Sequence, residues 1–161
     1  MAKKIAALKR RAKHAGMLSM YVNGHCGRWQ SDFQTLLRHC LDEDVCGKPI
    51  ATLLQPEAED SFVLKPKHSG FYATTVDLLL QALGVHTLML TGIAGNICVL
   101  LTANDASMQG YRLLIPADGV ASQTVRENMS ALRVMQTVLT ADIRPSTALD
   151  LPHGLASTRP Q

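Results

Sequence analysis

Two residues of types that can do covalent chemistry, Lys65 and Cys98, stand at the carboxyl end of a predicted strand or one turn beyond it. Cys98 comes after the apolar run Val85 to Thr91 and the turn Gly92-Ile93-Ala94-Gly95, in the first turn of a predicted helix. Unsatisfied backbone N–H groups and the positive end of the helix dipole favour a thiolate there, which is how a nucleophilic cysteine is made. Lys65 closes the run Ser61 to Leu64. An ammonium at a neighbouring strand end would favour the thiolate and later hold charge developing on a substrate carbonyl. On residue type and position alone a second reading stands beside this one: a small buried cysteine and a surface lysine.

Such positioning needs strands and helices in alternation, and the apolar pattern provides them. Lys3 to Ala15 reads as a helix ended by Gly16, and Met17 to Val22 as a strand. Ser31 is the expected N-cap of a helix with Phe33, Leu36, Leu37, Cys40 and Leu41 on one face. A short helix from Ile50 to Leu54 closes at Pro56, and Ser61 to Leu64 is a buried strand. Thr74 with Asp77 predicts a capping box for the stripe Val76, Leu79, Leu80 and Leu83, with Gly84 just past its end. Val85 to Thr91 reads as a strand covered on both faces, followed by a helix over 96–109 that Gly110 stops. Tyr111 to Pro116 is the next strand, Thr124 and Glu127 cap a helix to about Leu139, and 141–143 make a last short strand. Strands alternating with helices predict right-handed crossovers, a parallel sheet and helices on both faces.

Ligands of such a sheet bind outside the carboxyl ends of its strands. The stretches Asn23-Gly24-His25-Cys26, Lys65 to Tyr72 and Gly92 to Cys98 are therefore expected to open on one crevice. Asn23, Trp29, Phe71 and Tyr72 are the candidate substrate-binding residues, with packing against nearby helices as the other reading of the aromatic ones.

The chain has 161 residues, 47% hydrophobic and 18% charged, with a net charge of +3. That predicts one domain over 1–149, an arm loosening from Arg144 and an extended tail over 150–161. Lys3, Lys4, Lys9, Arg10, Arg11 and Lys13 all precede the first acidic residue, Asp32, and read as a solvated helix face, not a nucleic-acid patch. No window carries the roughly 18 apolar residues of a membrane span. Cys26, Cys40, Cys46 and Cys98 form no C-x-x-C pair and follow no signal peptide, so reduced thiols and a cytoplasmic location are expected. His25 has no second ligand at metal spacing, and neither metal nor cofactor is expected.

Taken together, Lys65-Pro66-Lys67-His68-Ser69-Gly70-Phe71, Leu90-Thr91-Gly92-Ile93-Ala94-Gly95-Asn96-Ile97-Cys98-Val99, Thr102-Ala103-Asn104-Asp105-Ala106 and Gly110-Tyr111-Arg112 resemble the isochorismatase-like cysteine hydrolases. The resemblance runs from Lys3 to about Leu149. It implies a three-layer, Rossmann-like α/β fold and a triad of aspartate, lysine and cysteine, with Lys65 and Cys98 as the matching lysine and nucleophile. It further implies a cis peptide between Ile93 and Ala94, and an oxyanion hole from the backbone N–H groups of Ala94 and Cys98. The substrate implied is a small molecule with an amide, carbamoyl or related C–N bond, the partner a second copy of the chain.

One member of the pattern has no match. The family aspartate ends the first strand, which is central in the sheet, and this sequence opens inside the helix that comes after that strand. Without it two strand edges would be exposed and the hydrophobic layer split, and the 161 residues alone are expected to show little or no hydrolase activity. Asp105 lies seven residues beyond Cys98, about 10 Å along a helix, and Asp118 follows another strand, so neither replaces it. A start further upstream, a folded but inactive family member, and a strand supplied by a partner or a rearranged sheet are the competing readings. A rival of another class is a non-catalytic nucleotide-binding module, with Gly92 and Gly95 cradling phosphate and Asp118 reaching a ribose.

Overall fold

Helices and parallel strands alternate along the computed structural model, which describes residues 1–24, 32–42 and 44–151. The elements are α1 (Ala2–His14), β1 (Met20–Gly24), α2 (Phe33–Leu41), α3 (Lys48–Leu53), β2 (Ser61–Lys65), α4 (Val76–Ala82) and β3 (Thr87–Met89). After these come β4 (Gly92–Ile93), α5 (Leu100–Met108), β5 (Arg112–Leu114), β6 (Val120–Ala121) and α6 (Val125–Thr137).

Every strand pairing among the described residues is parallel. Met20 to Gly24 lie opposite Ser61 to Lys65, Thr87 to Met89 opposite Arg112 to Leu114, and Gly92 and Ile93 opposite Val120 and Ala121. The expected last strand is a single bridge between Leu114 and Asp142. Helices cover both faces. Tyr21 and Phe62 meet α2 through Phe33, whose ring stacks on Phe62 at 4.6 Å. On the opposite face Met20, Val22 and Val63 pack with Val76 and Leu80 of α4. The larger core joins Ala103 and Ala106 of α5, Leu113 and Ile115, and Ala131 and Met135 of α6.

The described strands form three parallel pairs, β1–β2, β3–β5 and β4–β6, and β4 comes just two residues after β3, so the layer lies in two halves, β1–β2 and the other two pairs. Among the described residues no strand pairs with β1 or β3 on the sides that face each other, and a cavity of about 1260 Å³ lies there, bordered by Met20, Val22, Leu88 and Met89.

Three strands begin later than the apolar runs suggest, for one reason. Gly16, Gly84 and Gly110 all have positive φ and end helices. After each, the next residue turns its N–H back into the helix: Met17 to Ala12, Val85 to Leu80 and Tyr111 to Ala106. These are Schellman closures, and they consume the first apolar residue of each run, so the strands start at Met20, Thr87 and Arg112.

Other expectations need correcting. Asp32 caps α2 by accepting the Thr35 N–H at 2.6 Å, while Ser31 lies outside the described residues. Thr74 forms no box with Asp77; Thr75 is the N-cap, and Thr74 Oγ1 instead accepts the Val76 N–H and donates to the Gly70 carbonyl. The box of Thr124 and Glu127 is complete. The basic face of α1 is only partly solvated: Lys9 donates to Asp60 and to Tyr21, Lys13 pairs with Glu57, and Arg11 donates to the carbonyls of Ser146 and Leu149. The stretch after Arg144 is consequently no loose arm as far as Leu149, for Ser146 and Leu149 are buried.

Candidate active site

The last residue of β2 and the turn after β4 meet at the carboxyl ends of their strands. Lys65 Nζ lies 2.8 Å from the His68 carbonyl, 3.0 Å from that of Lys67 and 3.3 Å from Cys98 Sγ. An ammonium has three N–H donors, and all three are aimed. Lys65 is 7% exposed, and no carboxylate contacts it among the described residues. A buried cation is costly without polar partners, and among the described residues Lys65 has two backbone carbonyls and the Cys98 sulfur.

The turn that carries Cys98 is built under tight constraints. The Ile93–Ala94 peptide is cis and Gly92 holds φ +123°, a backbone conformation suited to glycine. Gly95 to Val99 then wind as a π-helical turn, with the Val99 N–H reaching the Ala94 carbonyl at 3.1 Å. Such turns are frequent at functional sites. A Cβ at Gly95 would stand 2.5 Å from Val120 Cγ1 and 2.6 Å from Asn128 Oδ1, so only glycine lets the turn lie against β6 and α6. The Asn96 N–H donates to Ser122 Oγ at 3.0 Å, and Asn96 Oδ1 is buried without a partner among the described residues.

The structure thus brings Lys65 and Cys98 together, with Ala94 half-buried at the start of the turn that carries Cys98. Asn23 is exposed at the end of β1 and borders the cavity between the sheet halves, whose walls reach Gly92 and Ile93 but include neither Lys65 nor Cys98. Phe71 borders the same cavity, yet it also packs into both cores, 6.1 Å from the Tyr111 ring. Tyr72 is 59% exposed. His25, Cys26 and Trp29 lie outside the described residues. Asp118 serves the fold, accepting from the N–H and the hydroxyl of Ser146 at 2.7 and 2.8 Å, which leaves the ribose role of the nucleotide reading without its residue.

Sequence reasoning missed a layer behind the pair. Thr102 Oγ1 donates to the Cys98 carbonyl at 2.7 Å and accepts the Gly70 N–H at 2.9 Å. Ser69 Oγ donates to the Asp105 carboxylate. The signal was present, because Thr102 and Asp105 are three apart on one helix face and Ser69 and Gly70 come just after the lysine segment, but no spacing rule joins the two stretches.

The chain is similar to known proteins in sequence and in fold. The model for the isochorismatase domain matches residues 1–143. An uncharacterised isochorismatase family protein of Bacillus subtilis, YaaI, is 44% identical over 139 residues, covering 86% of this chain and 76% of its own. The ureidoacrylate amidohydrolase RutB of Serratia proteamaculans is 45% identical over 65 residues, 40% of this chain and 26% of that protein. The crystal structure of N-carbamoylsarcosine amidase from Thermoplasma acidophilum superposes with a TM-score of 0.73 at 26% identity, covering 92% of this chain and 84% of that one.

Proposed function

Since the chain belongs to the isochorismatase family, we propose that it acts as a cysteine-dependent hydrolase of a small amide, carbamoyl or related C–N substrate. Cys98 is the nucleophile and Lys65 its cationic partner. The single observation that carries this reading is the buried Lys65 ammonium with all three donors aimed, one at Cys98 Sγ. The similarity to an amidohydrolase and an amidase supports the bond class.

The Cys98 thiolate attacks the substrate carbon, and the Ala94 and Cys98 N–H groups receive the oxyanion. The C–N bond then breaks, the amine departs with the proton that the thiol gave up, and a thioester stays on Sγ. Water adds to the thioester and breaks the C–S bond, releasing the acid and restoring the thiol.

These steps need a base to hold the proton between thiol and amine, and Lys65, whose three N–H donors are all directed at acceptors, is not placed to be that base. We assign it to a carboxylate at the end of a further parallel strand seated between β1 and β3. The split layer, and Lys65 without a carboxylate among the described residues, support that assignment.

The test is ammonia release from small ureido and carbamoyl amides, measured on the 161-residue chain alone and with an added strand peptide of about seven apolar residues ending in aspartate. Release that needs both the peptide and Cys98 is the expected result. Release by the chain alone, lost in Cys98→Ser, overturns the need for a further strand. Release that survives Cys98→Ser overturns the thiol mechanism.

A further inference from the structure

Resting on the reading of Cys98 as nucleophile, we infer that Ser69 and Asp105 are positioning residues that fix the Lys65 ammonium against the thiol. Backbone does most of the holding: two of the three acceptors of the ammonium are the carbonyls of Lys67 and His68, in the loop that leaves β2. Both of those residues are exposed, and their own side chains do not anchor the loop. The next residue does. Ser69 is buried, and its hydroxyl donates to Asp105 on α5 while accepting the Phe71 N–H at 3.2 Å.

Asp105 lies about two helical turns beyond Cys98, on the helix that continues directly from the π-helical turn, so the bond ties the carbonyl cradle to the segment that carries the nucleophile. A second tie runs parallel to it. The Gly70 N–H reaches Thr102 Oγ1, which itself holds the Cys98 carbonyl. There is no room to replace these ties by closer packing, for a Cβ on Gly70 would already lie 3.3 Å from both Thr102 Cγ2 and Val22 Cγ1. Losing the Ser69–Asp105 bond frees the cradle on the Lys65 side alone. The cation then leaves the thiol while the thiol stays in place.

That displacement has an electrostatic readout that general loosening does not share. Iodoacetate is an anion and iodoacetamide is neutral, with the same alkylating carbon, so the ratio of their rates at Cys98 reports positive charge beside Sγ. The ratio is measured by peptide mass spectrometry, with Cys40 and Cys46 as internal references in the same protein.

Wild type is expected to show a ratio at Cys98 well above that at the references, and Ser69→Ala to lower it about fivefold, the scale of a partly screened charge moved by a few ångströms. Asp105→Leu should do the same, Ser69→Thr should restore most of the ratio because it keeps the hydroxyl, and Thr137→Ala should leave it unchanged. A wild-type ratio no higher at Cys98 than at the references overturns the reading of the Lys65–Cys98 pair, and the inference with it. A high wild-type ratio that Ser69→Ala and Asp105→Leu leave unaltered overturns the inference alone. Should Asp105→Leu fail to fold, Ser69→Ala and its threonine rescue decide the matter.

Discussion

Lys65 Nζ stands 3.3 Å from Cys98 Sγ although the two strands that deliver them, β2 and β4, belong to different halves of the parallel layer. The contact is therefore a product of the tertiary fold, and it places a cation where packing alone would not. Apolar replacement of a buried charge is often neutral or stabilising. The cradle carbonyls belong to exposed residues, Lys67 and His68, and can turn to water once the ammonium is gone. Lys65→Met should leave stability within about 1 kcal/mol of wild type, or raise it. Alkylation of Cys98 at neutral pH should fall about tenfold, a small part of the Coulomb energy of such a pair. Thermal melts beside iodoacetamide kinetics check both halves, and a variant that melts early yet reacts normally contradicts them.

Gly95→Ala tests the fit of the nucleophile turn. The new methyl would meet Val120 Cγ1 at 2.5 Å and Asn128 Oδ1 at 2.6 Å, both on elements that cannot retreat without moving the core. Overpacking of this kind costs about 2–3 kcal/mol. Val120→Ala removes one of the two obstacles, so the double variant should be less destabilised than the sum of the singles, by about 1 kcal/mol. Urea titrations of the four proteins give the answer; strict additivity would mean that the turn relaxes elsewhere.

How much of this could be seen in the residues themselves depends on the range of the interaction. The order of elements was legible because apolar spacing and caps are local, and the Thr124–Glu127 box is a three-residue signal that the structure reproduces. Strand starts were less so, since each Schellman closure borrows the first residue of the next apolar run. The Lys65–Cys98 pair was legible from motif order, whereas the bond from Ser69 to Asp105 joins residues 36 apart with no pattern of its own. Least legible was the tether of residues 144–149. Arg11 and Asp118 hold Ser146, and nothing in a Pro-rich stretch announces that two distant side chains will claim it.

That tether makes stability depend on pH. Burial pushes the Asp118 carboxyl up, but the N–H and hydroxyl of Ser146 outweigh it and hold the group below the ordinary aspartate value. A depressed carboxyl binds its proton less tightly folded than unfolded. Its contribution is fully present above the unfolded value, near pH 4, and is lost as pH falls through the folded one. Asp118→Asn should flatten the acid limb of the stability curve below about pH 4 and leave neutral stability less affected. Asp118→Ala should cost about 2–3 kcal/mol at pH 7 and expose 144–149 to proteolysis. Denaturation series from pH 3 to pH 7, compared between the two variants, separate the charge from the hydrogen bonds.

The divided layer is testable at single amides. The Ser61 N–H bonds the Ser19 carbonyl, which sets the odd-numbered residues of β1 toward β2 and leaves Met20 and Val22 turned toward the cavity. Likewise the Arg112 N–H bonds His86 and the Leu90 N–H bonds Leu114, so Thr87 and Met89 face the same cavity from the other side. Hydrogen exchange in the 161-residue chain should therefore be faster at Val22 and Met89 than at Tyr21 and Leu88, although all four lie within strands. Adding the aspartate-ended strand peptide should slow Val22 and Met89 and leave Tyr21 and Leu88 as they were, because a parallel strand between the halves would take the bonds of those two alone. Equal protection at all four amides in the chain by itself would mean that β1 and β3 have closed on each other, and no strand would then fit between them.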